Sequence, residues 1–170
     1  FYLRLTNALN KYLPTLYPLV ETVRYSKASK YQHRQEKLAR KLYDNGQFQL
    51  VLKQLNRIDT LSQRGSILKG FTLLELEDYA AAEEIFRVLL ADSESVDYAR
   101  LGLALVAYYQ ESFEQAWDYL LNVRSLPDMY QVYYWRGRIQ ESLGNQEQAL
   151  EAYRRSVESA RRRLKPSLVP

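Results

Sequence analysis

Apolar residues recur at intervals of three and four along this chain, as in Leu101, Leu105 and Tyr108 or Ile85, Leu89 and Leu90. That spacing puts each set on one face of a helix, and no stretch shows the two-residue alternation of a half-buried strand. Glycine and proline act as punctuation. Asn45-Gly46 and Gly144-Asn145 end helical stretches, Pro127-Asp128 opens one and Pro166 closes the last. The pattern predicts an all-α chain of four helix pairs, over residues 33–45 with 47–59, 64–76 with 79–91, 97–110 with 113–124, and 129–143 with 146–163. The connections within each pair are short, so the paired helices must run antiparallel.

The helices repeat. Ala82, Ala116 and Ala149 are 34 and 33 residues apart, and the small residues Gly70, Ala104 and Gly137 keep the same steps. So do Phe86, Leu120 and Tyr153, each four residues after its alanine. A period in this range belongs to stacked repeats, in which each unit buries its apolar face against its neighbours and the stack offers a curved binding surface. On this reading Gly70, Ala104 and Gly137 let the first helix of a pair approach the second. Ala82, Ala116 and Ala149 admit the next pair, and Phe86, Leu120 and Tyr153 fill the wedge between pairs.

The fourth unit reads Tyr133-x2-Arg136-Gly137-x2-Gln140 followed by Ala149-x3-Tyr153. The second reads Ser66-x2-Lys69-Gly70-x2-Leu73 followed by Tyr79, Ala82 and Phe86, and the third Arg100-x2-Leu103-Ala104-x2-Ala107 followed by Phe113, Ala116 and Leu120. The first is degenerate, with Leu38-Ala39-x2-Leu42, Gly46-x-Phe48, Val51 in place of alanine, and Leu55. Residues 32–163 resemble the tetratricopeptide repeat in this pattern. The resemblance implies a right-handed superhelix of about four hairpins. Ser66 and Arg100, at a position that the family fills with a large residue, imply looser packing there.

The family's concave face is lined by the first helix of each pair. Carried over by position, that face comprises Arg40 and Tyr43, then Arg64, Ile67, Phe71 and Leu74. It continues through Tyr98, Leu101, Leu105, Tyr108 and Tyr109 to Tyr134 and Arg138. Its middle is aliphatic and aromatic and its edges carry arginine, which suits an apolar or amphipathic peptide segment. A register displaced by one residue would instead turn Ile67, Phe71, Leu101 and Leu105 towards the second helices. Some family members clamp a C-terminal carboxylate with Lys and Asn. Glu36, Arg40, Ile67 and Phe71 hold the corresponding positions here, so binding to the acidic tails of heat-shock chaperones is not expected.

Residues 1–31 precede the repeats and carry a helical stripe of Leu5, Leu9, Leu13, Leu16, Val20 and Val23, bent or broken at Pro14 and Pro18. They read either as a cap over Leu38 and Leu42 or as a segment that folds into a groove. Residues 164–170 read as a tail. The chain starts at Phe1 rather than Met, from which we expect a processed or excised piece, with a membrane tether or further domain able to lie outside it.

Charge is uneven. Residues 1–41 hold nine Lys/Arg against two acids, residues 42–153 nine against seventeen, and residues 154–170 six against one, for a net +4. The body is acidic and the ends are basic, which bears on partners rather than on fold. With 46% hydrophobic and 26% charged residues, the composition is that of a soluble globular chain. The absence of cysteine excludes disulfides and thiolate chemistry and leaves the compartment open, the cytoplasm being preferred. His33, the only histidine, sits in a polar run, Glu83-Glu84 reads as a solvated face, and no phosphate loop or metal-ligand spacing occurs. The expectation is a non-enzyme without cofactor or metal that binds another protein or peptide segment as an adaptor or assembly factor. A secretion-type chaperone, similar in layout, and a basic-ended nucleic-acid adaptor are the alternatives.

Overall fold

Four turns share one backbone device. At Gly46, Glu77, Glu111 and Gly144 the chain takes a left-handed conformation, with φ of 70°, 61°, 61° and 79°. Each of these residues donates its N–H to the carbonyl three residues back, and the next residue donates to the carbonyl five back. This closes the preceding helix and reverses the chain within two residues. Glycine adopts the conformation freely, whereas a glutamate pays roughly 1 kcal/mol or more for it. Glu77→Gly and Glu111→Gly are each expected to stabilise the fold by about 1 kcal/mol, additively because the turns are separate. Urea denaturation of the single and double variants checks this, and a loss of stability would refute it.

The computed structural model describes residues 17–127 and 129–164. Among them the fold is all-α. The helices are α1 (Tyr17–Asp44), α2 (Phe48–Leu55), α3 (Gln63–Glu75), α4 (Tyr79–Leu89), α5 (Val96–Tyr109), α6 (Phe113–Leu121), α7 (Met129–Ser142) and α8 (Gln146–Leu164). They group into two compact units that divide after Ser62.

In the first unit α1 pairs with α2. α1 begins sixteen residues before the predicted first helix and runs unbroken across residue 32. Pro18 falls in its first turn, where no backbone N–H is needed, so it does not interrupt the helix. Ala39, Val51 and Leu55 form the buried contact, while Leu38 is exposed and Leu42 half-buried. Gln54 hydrogen-bonds Gln35, and Glu36 accepts from the Ser62 N–H (2.8 Å) and hydroxyl (2.6 Å). Residues 1–16, on which both readings of the leader depend, Pro14 included, lie outside the described residues, as does most of the tail.

In the second unit α3–α4, α5–α6 and α7–α8 form three hairpins, each helix packed on the next and α3 also on α5. Helices α2 and α6 stop three or four residues before their predicted ends, at Asn56 and Asn122. The Asn122 side chain bonds back to the Asp118 carbonyl (2.9 Å), a local bond that competes with helix continuation. Ala82, Ala116 and Ala149 are buried as the period requires. A Cβ added to Gly70 would come within 2.7 Å of the Phe86 ring, and one on Gly137 within 2.5 Å of Tyr153, so each glycine clears a ring on the second helix of its own hairpin. Gly102, which the period does not mark, clears Phe86 from the following hairpin.

Arg100 is not a loose point. Its guanidinium bonds Asp97 (3.1 Å) and the Asn122 carbonyl (2.9 Å), while Asp97 accepts from the N–H groups of Arg124 and Ser125 (3.1 and 2.8 Å). An ion pair and its hydrogen bonds here hold the connection after α6 where the family pattern uses a large side chain. Ala116→Leu should cost about 2 kcal/mol because a fully buried methyl site must take three more carbons. Ala80→Leu, on the exposed side of α4, should be near neutral. Equal thermal losses at both sites would show that the stacking register is misassigned.

Candidate functional site

Sequence adjacency within helices sets the candidate site. Tyr108 and Tyr109 close α5, Tyr134 and Trp135 sit side by side on α7, and Tyr79 and Phe113 open α4 and α6 immediately after their turns. Ring contacts link them into one strip within the second unit. Tyr79 stacks on Tyr109 (centroids 5.5 Å, interplanar 13°), and Trp135 meets Tyr109 (6.0 Å), Tyr108 (5.2 Å) and Tyr134 (5.6 Å) edge to face. Tyr134 then reaches Tyr153 (5.9 Å), and Tyr108 packs on Phe113 (5.6 Å). Offset and edge-to-face pairs of this kind fix one another's orientation.

Arg138 lies in the middle of the strip. It donates to the hydroxyls of Tyr108 (2.9 Å) and Tyr134 (3.2 Å), and its guanidinium lies 5.7 Å from the centre of the Tyr108 ring. The hydrogen bond to Tyr134 raises its already high pKa further. At one end Tyr153 donates to Glu141 (2.8 Å); burial first, and then that bond, push its phenol up to about 12. At the other end burial, then the nearby Glu75 carboxylate, raise Tyr109. Tyr109 and Tyr134 remain 46% and 41% exposed despite these contacts.

The thirteen residues assigned to the groove divide. Tyr108, Tyr109, Tyr134 and Arg138 come together in the strip. Arg40 and Tyr43 belong to the first unit, where Arg40 pairs with Asp44 (3.0 Å) and Tyr43 meets Phe48 edge-on (5.3 Å). Arg64 is exposed, Tyr98, Ile67 and Phe71 are half-buried, and Phe71 lies edge-on to Phe86 (5.1 Å). Leu74, Leu101 and Leu105 are buried and are core residues, not surface anchors. The reason is that α5 packs against α3, α4 and α6 together. Every residue from Leu101 to Ala107 is covered, and a three-and-four stripe on such a helix marks no free face. Trp135 was not among the assigned residues, although it is the ring that joins Tyr108 and Tyr109 to Tyr134. Its adjacency to Tyr134 was the available signal.

Other candidates are accounted for locally. His33 is exposed on α1, Glu83 pairs with Arg87 (2.5 Å), and the basic end of α8 is partly neutralised by Arg155–Glu151 (2.9 Å) and Arg162–Glu158 (2.5 Å). Arg136 is structural: it donates to the Leu120 and Val123 carbonyls (2.9 and 3.3 Å) at the end of α6, and burial lowers its pKa. Among the described residues no group of His, Asp and Glu could hold a metal ion, and no helix is long and apolar enough to cross a membrane.

Residues 130–163, which contain Tyr134, Trp135, Arg138 and Tyr153, match the tetratricopeptide repeat. The last hairpin is thus a tetratricopeptide repeat by its sequence. A TPR repeat-containing protein of Methanocaldococcus jannaschii is 26% identical over 102 residues, covering 60% of this chain and 18% of the relative. The chain therefore spans under a fifth of that relative's length. A crystal structure of the MamA protein shares the fold at a TM-score of 0.60 and 17% identity, covering 99% of this chain and 95% of that one. Tetratricopeptide repeats generally mediate protein–protein interaction or assembly, and their fold is typically a non-enzymatic scaffold.

Proposed function

We propose that the aromatic strip of α5 and α7 binds a protein or peptide segment, and that the chain works as an adaptor or assembly factor. The observation that carries this reading is the partial exposure of Tyr109 and Tyr134 inside a continuous, mutually braced set of rings. Tyrosine and tryptophan held rigidly give large contact area at little cost in side-chain freedom, and they dominate binding hot spots.

The test is a Tyr109→Ala, Tyr134→Ala double variant. Circular dichroism should stay close to wild type, with only a modest loss in melting temperature, because both rings are partly exposed and neither lies in the core. Capture of the partner from native extract should fall by about tenfold or more, as expected for truncated aromatic anchors. Undiminished capture by a normally folded variant would overturn the reading. Capture that instead falls steeply with salt and is competed by RNA or DNA would favour the basic-ended nucleic-acid alternative. An export cargo among the captured proteins would specify the secretion-type chaperone.

A further inference from the structure

We infer that the segment taken by this strip is proline-rich, extended as polyproline II, and flanked by basic residues; the inference rests on the peptide-binding reading above. The first argument is polarity. Arg138 donates into the hydroxyl oxygens of Tyr108 and Tyr134, so the O–H protons of both are left to point at a ligand. The Trp135 indole N–H is donor-only and has no hydrogen-bond partner among the described residues. The strip therefore offers donors set among ring faces.

A matching ligand must bring acceptors without bringing donors of its own. Proline does this: its nitrogen carries no hydrogen, and in polyproline II its carbonyls are unpaired and project outward. A docked helix has already spent its carbonyls internally and would bury the tyrosine and tryptophan donors without partners, which is costly. Aromatic grooves with this donor pattern suit the preformed, low-entropy polyproline helix.

Dimensions and charge agree. From Tyr79 through Tyr109, Trp135 and Tyr134 to Tyr153 the ring path is at most roughly 23 Å, about seven residues of polyproline II at 3.1 Å per residue. Carboxylates border it, Glu111 exposed at the turn between Tyr109 and Phe113 and Glu141 on Tyr153 at the far end. Arg138, within the strip, is engaged with two hydroxyls and also lies 3.9 Å from Glu141, so Glu141 is partly neutralised and Glu111 is the more open carboxylate. Lysine or arginine flanking the prolines complements Glu111 first and Glu141 second.

The probe is a fluorescent peptide of about eight prolines with a lysine at each end, a length set by the strip. It is titrated with the full chain and followed by anisotropy. A glycine-serine peptide and an amphipathic helical peptide with the same lysines serve as comparisons. The proline peptide should bind saturably and the glycine-serine peptide at least tenfold more weakly. Tyr109→Ala should weaken the proline complex by tenfold or more with circular dichroism unchanged. Trp135→Phe, which keeps a ring and removes the N–H, should weaken it several-fold. Added salt should weaken the lysine-flanked peptide more than an uncharged proline peptide. Proline binding unaffected by Tyr109→Ala would overturn the site. Preferential binding of the helical peptide, lost in Tyr109→Ala, would overturn the proline inference and leave the peptide-binding reading standing. Binding of none of the peptides, with native capture undiminished in the Tyr109→Ala, Tyr134→Ala variant, would overturn both.

Discussion

Phe86→Ala is expected to lower stability by about 3–5 kcal/mol, the range for emptying a fully enclosed aromatic site. Phe86 has no exposed surface, and its ring is held between Gly70 on α3 and Gly102 on α5, with Phe71 edge-on at 5.1 Å. It thus belongs to the second and third hairpins at once, and the space left by alanine cannot close without moving one hairpin against the other. In a stack stabilised by nearest-neighbour interfaces, such a loss is felt by the whole unit. Tyr153 occupies the equivalent place in the last hairpin, but it is half-buried and has no following hairpin packed on it among the described residues. Tyr153→Ala should therefore cost clearly less. Urea denaturation of the two variants decides the matter, and equal losses would mean that Phe86 does not join the hairpins.

The fold was legible because its determinants are local and periodic. Alanines at a 33–34-residue step cannot be produced by chance packing of unrelated helices, and their burial follows directly from the contact each must admit. Turn positions were legible at Gly46 and Gly144 for the same reason. Glu77 and Glu111 carry the identical left-handed turn without the residue that advertises it, so their strain could only be seen in the backbone.

The site was less legible, because a helical stripe reports which side chains share a face but not how many faces are covered. α5 is the case in point: Leu101 and Leu105 share a stripe with Tyr108, yet only the helix end at Tyr108 and Tyr109 emerges from the packing of three neighbours. Trp135 and Gly102 were missed for a related reason. Both act across hairpins, Trp135 on the rings of α5 and Gly102 on Phe86, and a pattern read one hairpin at a time does not show what crosses between them.

Gly102→Val should destabilise by about 3 kcal/mol, the upper part of the range for overfilling a packed interior. A Cβ at this position would overlap the Phe86 ring, and the ring cannot retreat because Gly70 bounds its far side. Helix propensity does not offset this, since valine and glycine are both poor in a helix interior. Gly137→Val makes the same demand on Tyr153, but that ring is half-exposed at the end of the array and can swing out, so its cost should be nearer 1 kcal/mol. The decisive variant pairs Gly102→Val with Phe86→Leu, which removes ring atoms where the valine adds them. If the two side chains compete for one volume, the double variant should be more stable than the sum of the single losses by about 1–2 kcal/mol. Strict additivity in denaturation measurements would show that Gly102 is small for some reason other than the Phe86 ring.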